Sequence, residues 1–307
     1  MDFWQSKLEQ GRIVLLDGGT GSELQRRGVP MSEAAWSGTA AYSHPQIVQE
    51  VHEDYIRAGA EIIIANTFGT ARFMLEAAGL GDDFERINRD AVVAALRARD
   101  SAADHPVAIA GSMSTLPPNF DVGAYPDPDR ERDAYLELAA LLAEAGVDLI
   151  ALEMMQDVRH ASRAMEGALA TGLPVMLGVS CRRHPQNDDI VCFDVPDLPL
   201  TRPLDALVGK GPSVVNIMHS ELDAIVDGIG LVRDRFDGFI GVYPETGDFQ
   251  APDWNFDKSI APETLVAHAR HWVKAGARLI GGCCGTNPEH IRALKEAVPE
   301  LETIMQT

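Results

Sequence analysis

The sequence AGAEII, which begins at Ala58, has two close counterparts further along the chain, AGVDLI from Ala145 and AGARLI from Ala275. In each copy the glycine is expected to end a helix, because glycine adopts the left-handed conformation at a helix C-terminus at little cost. The apolar residues that follow predict a buried strand, starting three residues after the glycine. The spacings between the copies are near two and three times a common length. A repeated unit of helix, glycine and buried strand is typical of a (β/α)8 barrel.

Short apolar runs recur along the whole chain and support the same fold. They are rich in Ile, Val and Leu and alternate little, as is typical of parallel strands buried on both faces. The eight runs are Ile13–Leu16, Ile62–Ala65, Val107–Ala110, Leu149–Leu152, Val175–Val179, Val214–Val215, Phe239–Val242 and Leu279–Ile280. A doubly wound open sheet is the alternative, but Asp17–Gly21 lacks the G-x-G-x-x-G spacing of that fold. We therefore predict an α/β protein with a single (β/α)8 TIM barrel domain over residues 1–307.

The chain of 307 residues is strongly acidic, with 26 Lys and Arg against 46 Asp and Glu and a formal net charge of −20. This charge argues against nucleic acid or an anionic membrane surface as a partner, because both select basic proteins. No stretch reaches the roughly 18 apolar residues of a membrane span, and the N-terminus lacks the pattern of a secretory signal. Four cysteines are too few to staple a chain of this length, which indicates a reducing, cytoplasmic compartment.

Polar residues stand directly after nearly every predicted strand. In a (β/α)8 barrel the carboxyl ends of the strands meet at one face, where the active site lies. The residues at these positions are Asp17, Asn66, Thr67, Ser112, Glu153, Ser180, Cys181, Asn216, Tyr243, Cys283 and Cys284. Strand ends also turn polar because they emerge into water, but so many polar ends favour a functional site at this face.

The stretch GGCCGT, Gly281–Thr286, is the most informative of these ends. Cys283 and Cys284 can both reach one metal ion if the chain turns at the mouth of the last strand. Thiolates favour soft or borderline ions, and zinc is the ion expected in a cytosolic enzyme. The alternative is that the pair only fills space as two small buried side chains. The flanking glycines, which allow a ligand to approach closely, favour the metal site.

Six stretches of the chain resemble, in the same order, the homocysteine S-methyltransferase family. This family includes betaine– and S-methylmethionine–homocysteine methyltransferases and the homocysteine domain of methionine synthase. The stretches are Leu15–Gly28, Trp36–Ser37, His44–Phe68, Leu149–Met155, Gly241–Trp254 and Gly281–Ile291. The resemblance covers nearly the whole chain and implies a (β/α)8 barrel and a homocysteine S-methyltransferase of the EC 2.1.1 class.

The resemblance also implies a zinc ion that three cysteines hold. Two of them match Cys283 and Cys284, whose catalytic role is to activate a substrate thiol through the metal. The third cysteine of the family follows an Asn at the end of the sixth strand, where this chain has Asn216 and then Ile217. His219, two residues further on, could supply an imidazole ligand instead. It could equally face solvent at the start of a helix.

The other two cysteines lie in the middle of the chain. Cys181 follows the fifth predicted strand and could approach the metal, but less readily than His219. Cys192 falls in a long loop and is assigned no role. That loop, over residues 184–203, and another over residues 114–129 are rich in Pro and Asp, and both are candidates to cover the active site.

The chemistry of homocysteine assigns roles to the remaining strand-end residues. Its ammonium group needs carboxylates, and the resemblance implies Asp17 and Glu153; either could instead form an internal ion pair or a helix N-cap. Its carboxylate suits the backbone N–H groups of a Gly-rich turn. The predicted substrate-binding residues are Asp17, Gly18, Gly19, Thr20, Asn66, Thr67, Glu153, Asn216 and Tyr243. A cationic methyl donor favours aromatic faces, for which Trp36 and Tyr243 are candidates.

The predicted function is methyl transfer from a cationic donor, of the sulfonium or betaine type, to homocysteine to give methionine, with Zn²⁺ as cofactor. The negative charge of the chain favours such a donor over the polyglutamate tail of folate. Two alternatives remain: the same fold with a shifted metal site acting on a different thiol or methyl acceptor, and a non-catalytic ligand-binding relative. The expected partners are a small-molecule thiol and the methyl donor, and a homo-oligomer is left open.

Overall fold

Eight parallel strands close into a barrel, and four short strands form two hairpins outside it. The structure, a computed structural model, describes residues 2–305. The strands are β1 (Val14–Leu15), β2 (Ile62–Ala65), β3 (Ala108–Ser114), β4 (Leu149–Glu153), β5 (Val175–Val179), β6 (Cys181–Arg183), β7 (Ile190–Cys192), β8 (Val214–Met218), β9 (Phe239–Tyr243), β10 (Asp248–Gln250), β11 (Asp253–Asn255) and β12 (Ala277–Ile280). The barrel order is β1-β12-β9-β8-β5-β4-β3-β2, and a parallel bridge between Leu16 and Ile62 joins its two ends.

This architecture confirms the predicted (β/α)8 TIM barrel. Helices connect the barrel strands and cover the outside. They are α1 (Phe3–Glu9), α2 (Thr20–Arg26), α3 (Ala40–Ser43), α4 (Pro45–Ala58), α5 (Arg72–Ala77), α6 (Phe84–Ala102), α7 (Pro128–Ala145), α8 (Val158–Ala170), α9 (Thr201–Leu207), α10 (Ile225–Arg233), α11 (Pro262–Ala275) and α12 (Pro288–Ile304). The single domain over residues 1–307 stays a prediction, and Met1, Gln306 and Thr307 lie outside the described residues. Within residues 2–305, no helix has both the length and the apolar character that crossing a membrane requires.

The three repeated glycines end helices as the sequence predicts. Gly59, Gly146 and Gly276 follow α4, α7 and α11 with φ values of 112°, 102° and 120°. The next strand begins three residues later after the first two glycines, but directly at Ala277 after the third. The reason is a register shift between Ala277 and Leu279 in the pairing of β12 with β9, which accommodates the earlier start.

Strand β8 is longer than the sequence predicts, so a different residue stands at its end. The polar Asn216 was expected to mark the end of the strand, but β8 continues through Met218. Because side chains alternate along a strand, Met218 belongs to the inner apolar layer of the barrel, whereas Ile217 packs in the outer layer against the helices. Ile217, which stands at the family's cysteine position by sequence, therefore faces away from the barrel interior. The residue at the strand end is His219.

Two buried carboxylates reinforce the seam between β1 and β2. One Asp17 oxygen accepts a hydrogen bond from Ile64 N–H (2.8 Å), and one Glu61 oxygen accepts from Leu15 N–H (3.1 Å). Glu61 also pairs with Lys7 of α1, with an Nζ–Oε1 distance of 2.6 Å. Because β1 has only two residues, these side chains supply hydrogen bonds that a longer strand would make with its backbone.

Helix α1 closes the amino-terminal end of the barrel. Its Trp4 and Leu8 side chains are 0% and 1% exposed and pack into the inner layer with Val14 and Leu279. This end is therefore sealed by apolar side chains. The opposite end, which we call the mouth, carries the β6–β7 hairpin, the β10–β11 hairpin and the loop of residues 115–127 between β3 and α7. The interior of the barrel can therefore open to solvent only at the mouth.

Candidate metal centre and substrate cavity

Cys283 and Cys284 lie in a tight turn directly after β12. The Cys283 N–H donates to the Pro244 carbonyl (2.8 Å), and the Cys284 carbonyl accepts from Thr246 N–H (2.8 Å). Gly285 follows with a φ of 81°, and a Cβ at this position would lie 1.5 Å from the Thr246 carbonyl oxygen. Only glycine fits at position 285, which explains why a glycine follows the two cysteines.

His219 lies directly after β8, next to the cysteine turn. Its backbone has a φ of 42°, and its N–H donates to the Tyr243 carbonyl (3.0 Å). The imidazole lies between the rings of Phe193 and Trp254, with centroid distances of 5.0 and 5.9 Å. Its Nδ1 is 3.7 Å from Cys283 Sγ. The aromatic neighbours thus fix the imidazole beside the thiol.

The side chains of His219, Cys283 and Cys284 form a compact cluster. Their candidate ligand atoms all lie within 4.8 Å of one another, and the two Sγ atoms are 3.9 Å apart. Two thiols and one imidazole are the donor types of zinc sites that keep a position for substrate. The residues present therefore fit a zinc ion by their chemistry and their spacing.

The cluster also shifts the proton affinities of its members. Burial lowers the pKa of His219, but the neighbouring Cys283 outweighs it, and the net effect raises the pKa to about 9. The Cys284 thiol and burial together raise the pKa of Cys283 well above its usual range, against the opposing effect of His219. A zinc ion would favour a neutral imidazole and deprotonated thiols, because only these forms bind a metal.

The structure does not bring the other two cysteines to the cluster. Cys181 is fully buried, and its Sγ lies 3.1 Å from where a Cβ on Gly228 of α10 would be, in the outer apolar layer. Cys192 pairs with Cys181 across the β6–β7 hairpin. The candidate third ligand is thus His219 by position.

A cavity of about 460 Å³ opens at the mouth beside the cluster. The predicted site residues that line it are Gly18, Gly19, Thr20, Asn66, Glu153, Tyr243, Cys283, Cys284 and His219, together with Trp36. Asp17, Thr67 and Asn216 are not part of its lining. Among the described residues that form the lining, none is Lys or Arg, whereas Glu153 and Asp194 are acidic.

Asp17 and Glu153 are buried carboxyl groups with unusual proton affinities. Burial raises the pKa of Glu153 to about 7, although the Ser112 hydroxyl, which donates a hydrogen bond to it, opposes this. Burial also raises the pKa of Asp17 well above its usual range; the Ile64 N–H opposes the shift and the charge of Glu153 adds to it. The second Asp17 oxygen has no hydrogen-bond partner among the described residues. A cation in the cavity beside Glu153 would favour the ionised form of that group.

Of three other predicted residues, two form hydrogen bonds within the protein and one is buried without a hydrogen-bond partner. Asn66 exchanges two hydrogen bonds with Ser37, at 2.8 and 3.0 Å, and the Thr67 hydroxyl donates to the Ser112 carbonyl (2.8 Å). Asn216 is fully buried, and its amide atoms have no hydrogen-bond partner among residues 2–305. Asn66 and Thr67 thus brace the mouth, and Asn216 lies outside the cavity lining.

The Gly-rich turn before α2 packs directly against the cysteine turn. A Cβ on Gly19 would lie 2.6 Å from the Cys283 carbonyl oxygen, so the close approach requires glycine here. The Gly19 N–H donates to the Thr286 hydroxyl (3.2 Å). This amide is therefore already engaged, which leaves the neighbouring Gly18 and Thr20 amides as candidates for binding a carboxylate.

Met218 lines the cavity and was not predicted. Its Sδ accepts hydrogen bonds from the Ser180 hydroxyl (3.1 Å) and from Met154 N–H (3.4 Å). Strict alternation from Val214 onward would have placed it on the inner face. The interpretation of Asn216 as the strand end hid this signal.

The unpredicted lining also includes five aromatic side chains from the loops and hairpins at the mouth. These residues are Phe68, Phe120, Phe193, Phe249 and Trp254. The sequence carries a weak signal for them, because isolated aromatic residues in polar, Pro-rich loops have no place in a helix or strand core. Their common location follows only from the three-dimensional arrangement of the mouth.

Comparisons with known proteins agree with this fold. The family model described as homocysteine S-methyltransferase matches residues 14–298. The chain is 28% identical to homocysteine S-methyltransferase 3 of Zea mays, over 92% of this chain and 89% of the relative. It is 26% identical to a selenocysteine methyltransferase of Astragalus bisulcatus, over 93% of this chain and 92% of the relative.

Solved structures show the same architecture. The homocysteine methyltransferase MmuM of Escherichia coli, in a crystal structure described as the metallated form, superposes with a TM-score of 0.76. The two chains are 24% identical, and the match covers 95% of this chain and 98% of MmuM. Together with the family match over residues 14–298, these findings show that the chain is a methyltransferase of the homocysteine S-methyltransferase family.

Proposed function

We propose that this protein transfers a methyl group from a cationic donor to homocysteine and so forms methionine, with a zinc ion held by Cys283, Cys284 and His219. The observation that carries the proposal is the cluster of two thiols and one imidazole, within 4.8 Å of one another, at the edge of an acidic and aromatic cavity. The relatives named above supply the reaction class.

The metal ligands are held by the protein before any substrate arrives. The Pro244 carbonyl fixes Cys283, and the rings of Phe193 and Trp254 hold the His219 imidazole. When bound, zinc would lower the pKa of a substrate thiol and so supply a thiolate nucleophile at neutral pH. The protein's own contribution is then to place this thiolate in line with the donor methyl group.

The two buried carboxyl groups suit the ammonium group of homocysteine: Glu153 lines the cavity, and Asp17, which is not part of the lining, adds negative charge close to Glu153. Asp17 and Glu153 each have a raised pKa because burial disfavours the charged form. A bound ammonium group would favour ionisation of both and would offset part of that cost. The amides of Gly18 and Thr20 are suited to bind the substrate carboxylate. Together these groups would fix both ends of the amino acid.

The aromatic wall of the cavity suits a cationic donor. The Trp36 ring lies edge-on to Phe68 and Phe249, with centroid distances of 5.9 and 6.5 Å. Aromatic faces attract sulfonium and quaternary ammonium groups through their negative electrostatic potential. The acidic Asp194 and the lack of Lys and Arg in the described lining disfavour an anionic donor. The charge of the cavity therefore supports a sulfonium or betaine type of donor.

The test of this proposal combines metal content with product formation. Zinc per chain is measured on protein purified under reducing conditions, for the natural sequence and for His219→Ala. We expect about one zinc per chain in the natural protein and loss of most of it in the variant. Methionine is then assayed with homocysteine and either S-methylmethionine, S-adenosylmethionine or betaine, and cysteine and selenocysteine are offered as competing acceptors.

His271→Ala is the matched control, because this histidine is exposed on α11 and lies outside the cavity. It should keep both metal and activity. Undiminished zinc in His219→Ala would remove His219 from the ligand set. Turnover of another acceptor but not of homocysteine would favour the alternative that this fold methylates a different acceptor. The absence of turnover with every combination of donor and acceptor would contradict the proposed reaction.

A further inference from the structure

The loop of residues 115–127 forms one wall of the cavity, although it belongs neither to the metal cluster nor to the barrel. Leu116, Pro117, Phe120 and Val122 all line the cavity from this loop. The Phe120 ring lies 5.1 Å from the ring of Phe249 in β10. Because β10 belongs to a hairpin that follows a different barrel strand, the two rims of the mouth meet at this aromatic pair. The loop therefore forms part of the rim of the cavity.

The beginning of the loop is tied directly to the barrel. The Ser114 hydroxyl donates to the Phe68 carbonyl (2.6 Å), and the Thr115 hydroxyl donates to the Met154 carbonyl (3.0 Å). The end of the loop folds back onto this beginning, because the Tyr125 hydroxyl donates to the Thr115 carbonyl. Tyr125 thus closes the loop on itself.

Tyr125 is in turn held by a side chain from the next helix hairpin. Its ring stacks on the His160 imidazole of α8, with a centroid distance of 3.7 Å and an interplanar angle of 15°. His160 Nδ1 lies 2.7 Å from one oxygen of Glu131, a carboxylate of α7 that is 0% exposed. Arg163 donates to the other oxygen at 2.6 Å. The stack therefore rests on a buried and well-fixed base.

We propose that the stacked pair of Tyr125 and His160 is a clasp that holds the loop of residues 115–127, and with it Phe120, over the cavity. His160 is then a positioning residue for methyl transfer, because it acts through Tyr125 and is not part of the described cavity lining. The role of His160 in catalysis rests on the proposed function, whereas its role in holding the loop rests on the geometry alone.

Loss of the clasp has two expected effects. The loop opens more often, so its backbone amides exchange faster with solvent. The closed conformation of the loop is also populated less, so the apparent affinity for substrate falls in proportion to that population. Loss of the stabilisation that a stacked aromatic pair provides changes the equilibrium between the closed and open loop by up to about tenfold. We therefore expect KM for the methyl donor to rise by up to about tenfold in His160→Ala, with a smaller change in kcat.

The test uses three substitutions of His160 and one control. His160→Ala removes the stack and the hydrogen bond to Glu131, His160→Phe keeps the stack alone, and His160→Gln keeps a polar contact alone. Arg163→Gln is the matched control, because it removes the other partner of Glu131 from the same helix without touching Tyr125. Hydrogen–deuterium exchange of residues 116–127 and the separate values of KM and kcat are measured on the intact, metal-loaded protein.

We expect fast loop exchange and a raised KM in His160→Ala and His160→Gln, and values near those of the natural protein in His160→Phe and Arg163→Gln. Unchanged loop exchange in His160→Ala, or no rescue by His160→Phe, would overturn the clasp. Equal effects in Arg163→Gln would assign them to general packing of α7 on α8. If the intact protein does not methylate homocysteine, the proposed function fails, but loop exchange still decides whether the clasp exists.

Discussion

At the scale of single residues, His52 is a buried histidine that the proposed function does not use. It lies in α4 with 0% exposure, and its two ring nitrogens have no hydrogen-bond partner among the described residues. Burial lowers its pKa from 6.5 to about 4. Such a group makes the stability of the fold sensitive to pH, because the unfolded chain takes up a proton that the folded chain refuses.

The contribution of His52 to the free energy of unfolding is therefore predicted to fall as the pH is lowered from about 6.5 to about 4. Above this window His52 is neutral in both states, and below it both states are protonated, so the loss is confined to the window. The shift corresponds to about 3 kcal/mol in total, or about 1.4 kcal/mol per pH unit. Urea unfolding of the natural protein and of His52→Leu between pH 7 and pH 4.5 measures this, and equal slopes for the two would contradict it.

The candidate site shows which residues the sequence could place. Cys283 and Cys284 could be placed at the mouth because they follow a buried apolar run and are flanked by glycines, which favours a metal site over two small buried side chains. The sequence left the third ligand open between His219, Cys181 and a vacant position. The choice of third ligand depends on whether β8 ends at Asn216 or continues through Met218. The sequence is compatible with both, because apolar residues can follow a polar one inside a strand or after its end. Packing of Ile217 against the outer helices decides the strand length, and packing is invisible in the sequence.

At the scale of elements, helix α1 is the plug of the amino-terminal end of the barrel. Its Trp4 side chain fills the space that eight strand ends leave at the centre. A large side chain at this position was not predicted from the sequence, because the first residues show only a short and weakly patterned segment. The strands, by contrast, were largely predictable, since buried parallel strands are continuous apolar runs and the glycines before them mark their starts.

Trp4→Ala is predicted to lower the free energy of unfolding by about 3–5 kcal/mol, because it leaves a cavity in a packed interior. The activity of the folded fraction should stay the same, since the mouth lies at the other end. Chemical denaturation and the turnover number measure the two effects. Phe3→Ala, an aromatic residue that is half-buried on the same helix, is the control and should lose much less stability. Similar losses in both variants would argue against a plug.

At the scale of the whole molecule, the apolar core and the candidate metal centre are separate. The inner and outer layers of the barrel contain no member of the metal cluster, except that Cys283 touches the rim of the inner layer. The barrel should therefore fold without metal. Binding to the folded state alone nevertheless adds stability by mass action.

Removal of zinc by a chelator is predicted to lower the thermal midpoint without changing the far-ultraviolet circular dichroism at 25 °C. The loss is about 3 kcal/mol if free zinc had been about a hundredfold above its Kd. Differential scanning calorimetry with and without chelator measures it. His219→Ala, which is expected to bind zinc poorly, should show a much smaller shift. Loss of helical signal on chelation would mean that the metal is needed for folding.

The carboxylates at the seam between β1 and β2 have a consequence for how this protein can change over time. Asp17 holds the first strand to the second with one oxygen, through Ile64 N–H, and its other oxygen is buried without a hydrogen-bond partner among the described residues. If Asp17 binds the substrate as proposed, a substitution there that alters substrate preference also removes the hydrogen bond to Ile64 and loosens the closure of the barrel. Substitutions in the loops at the mouth leave this contact intact. A substitution of Asp17 that changes specificity needs a second change that restores the contact between β1 and β2.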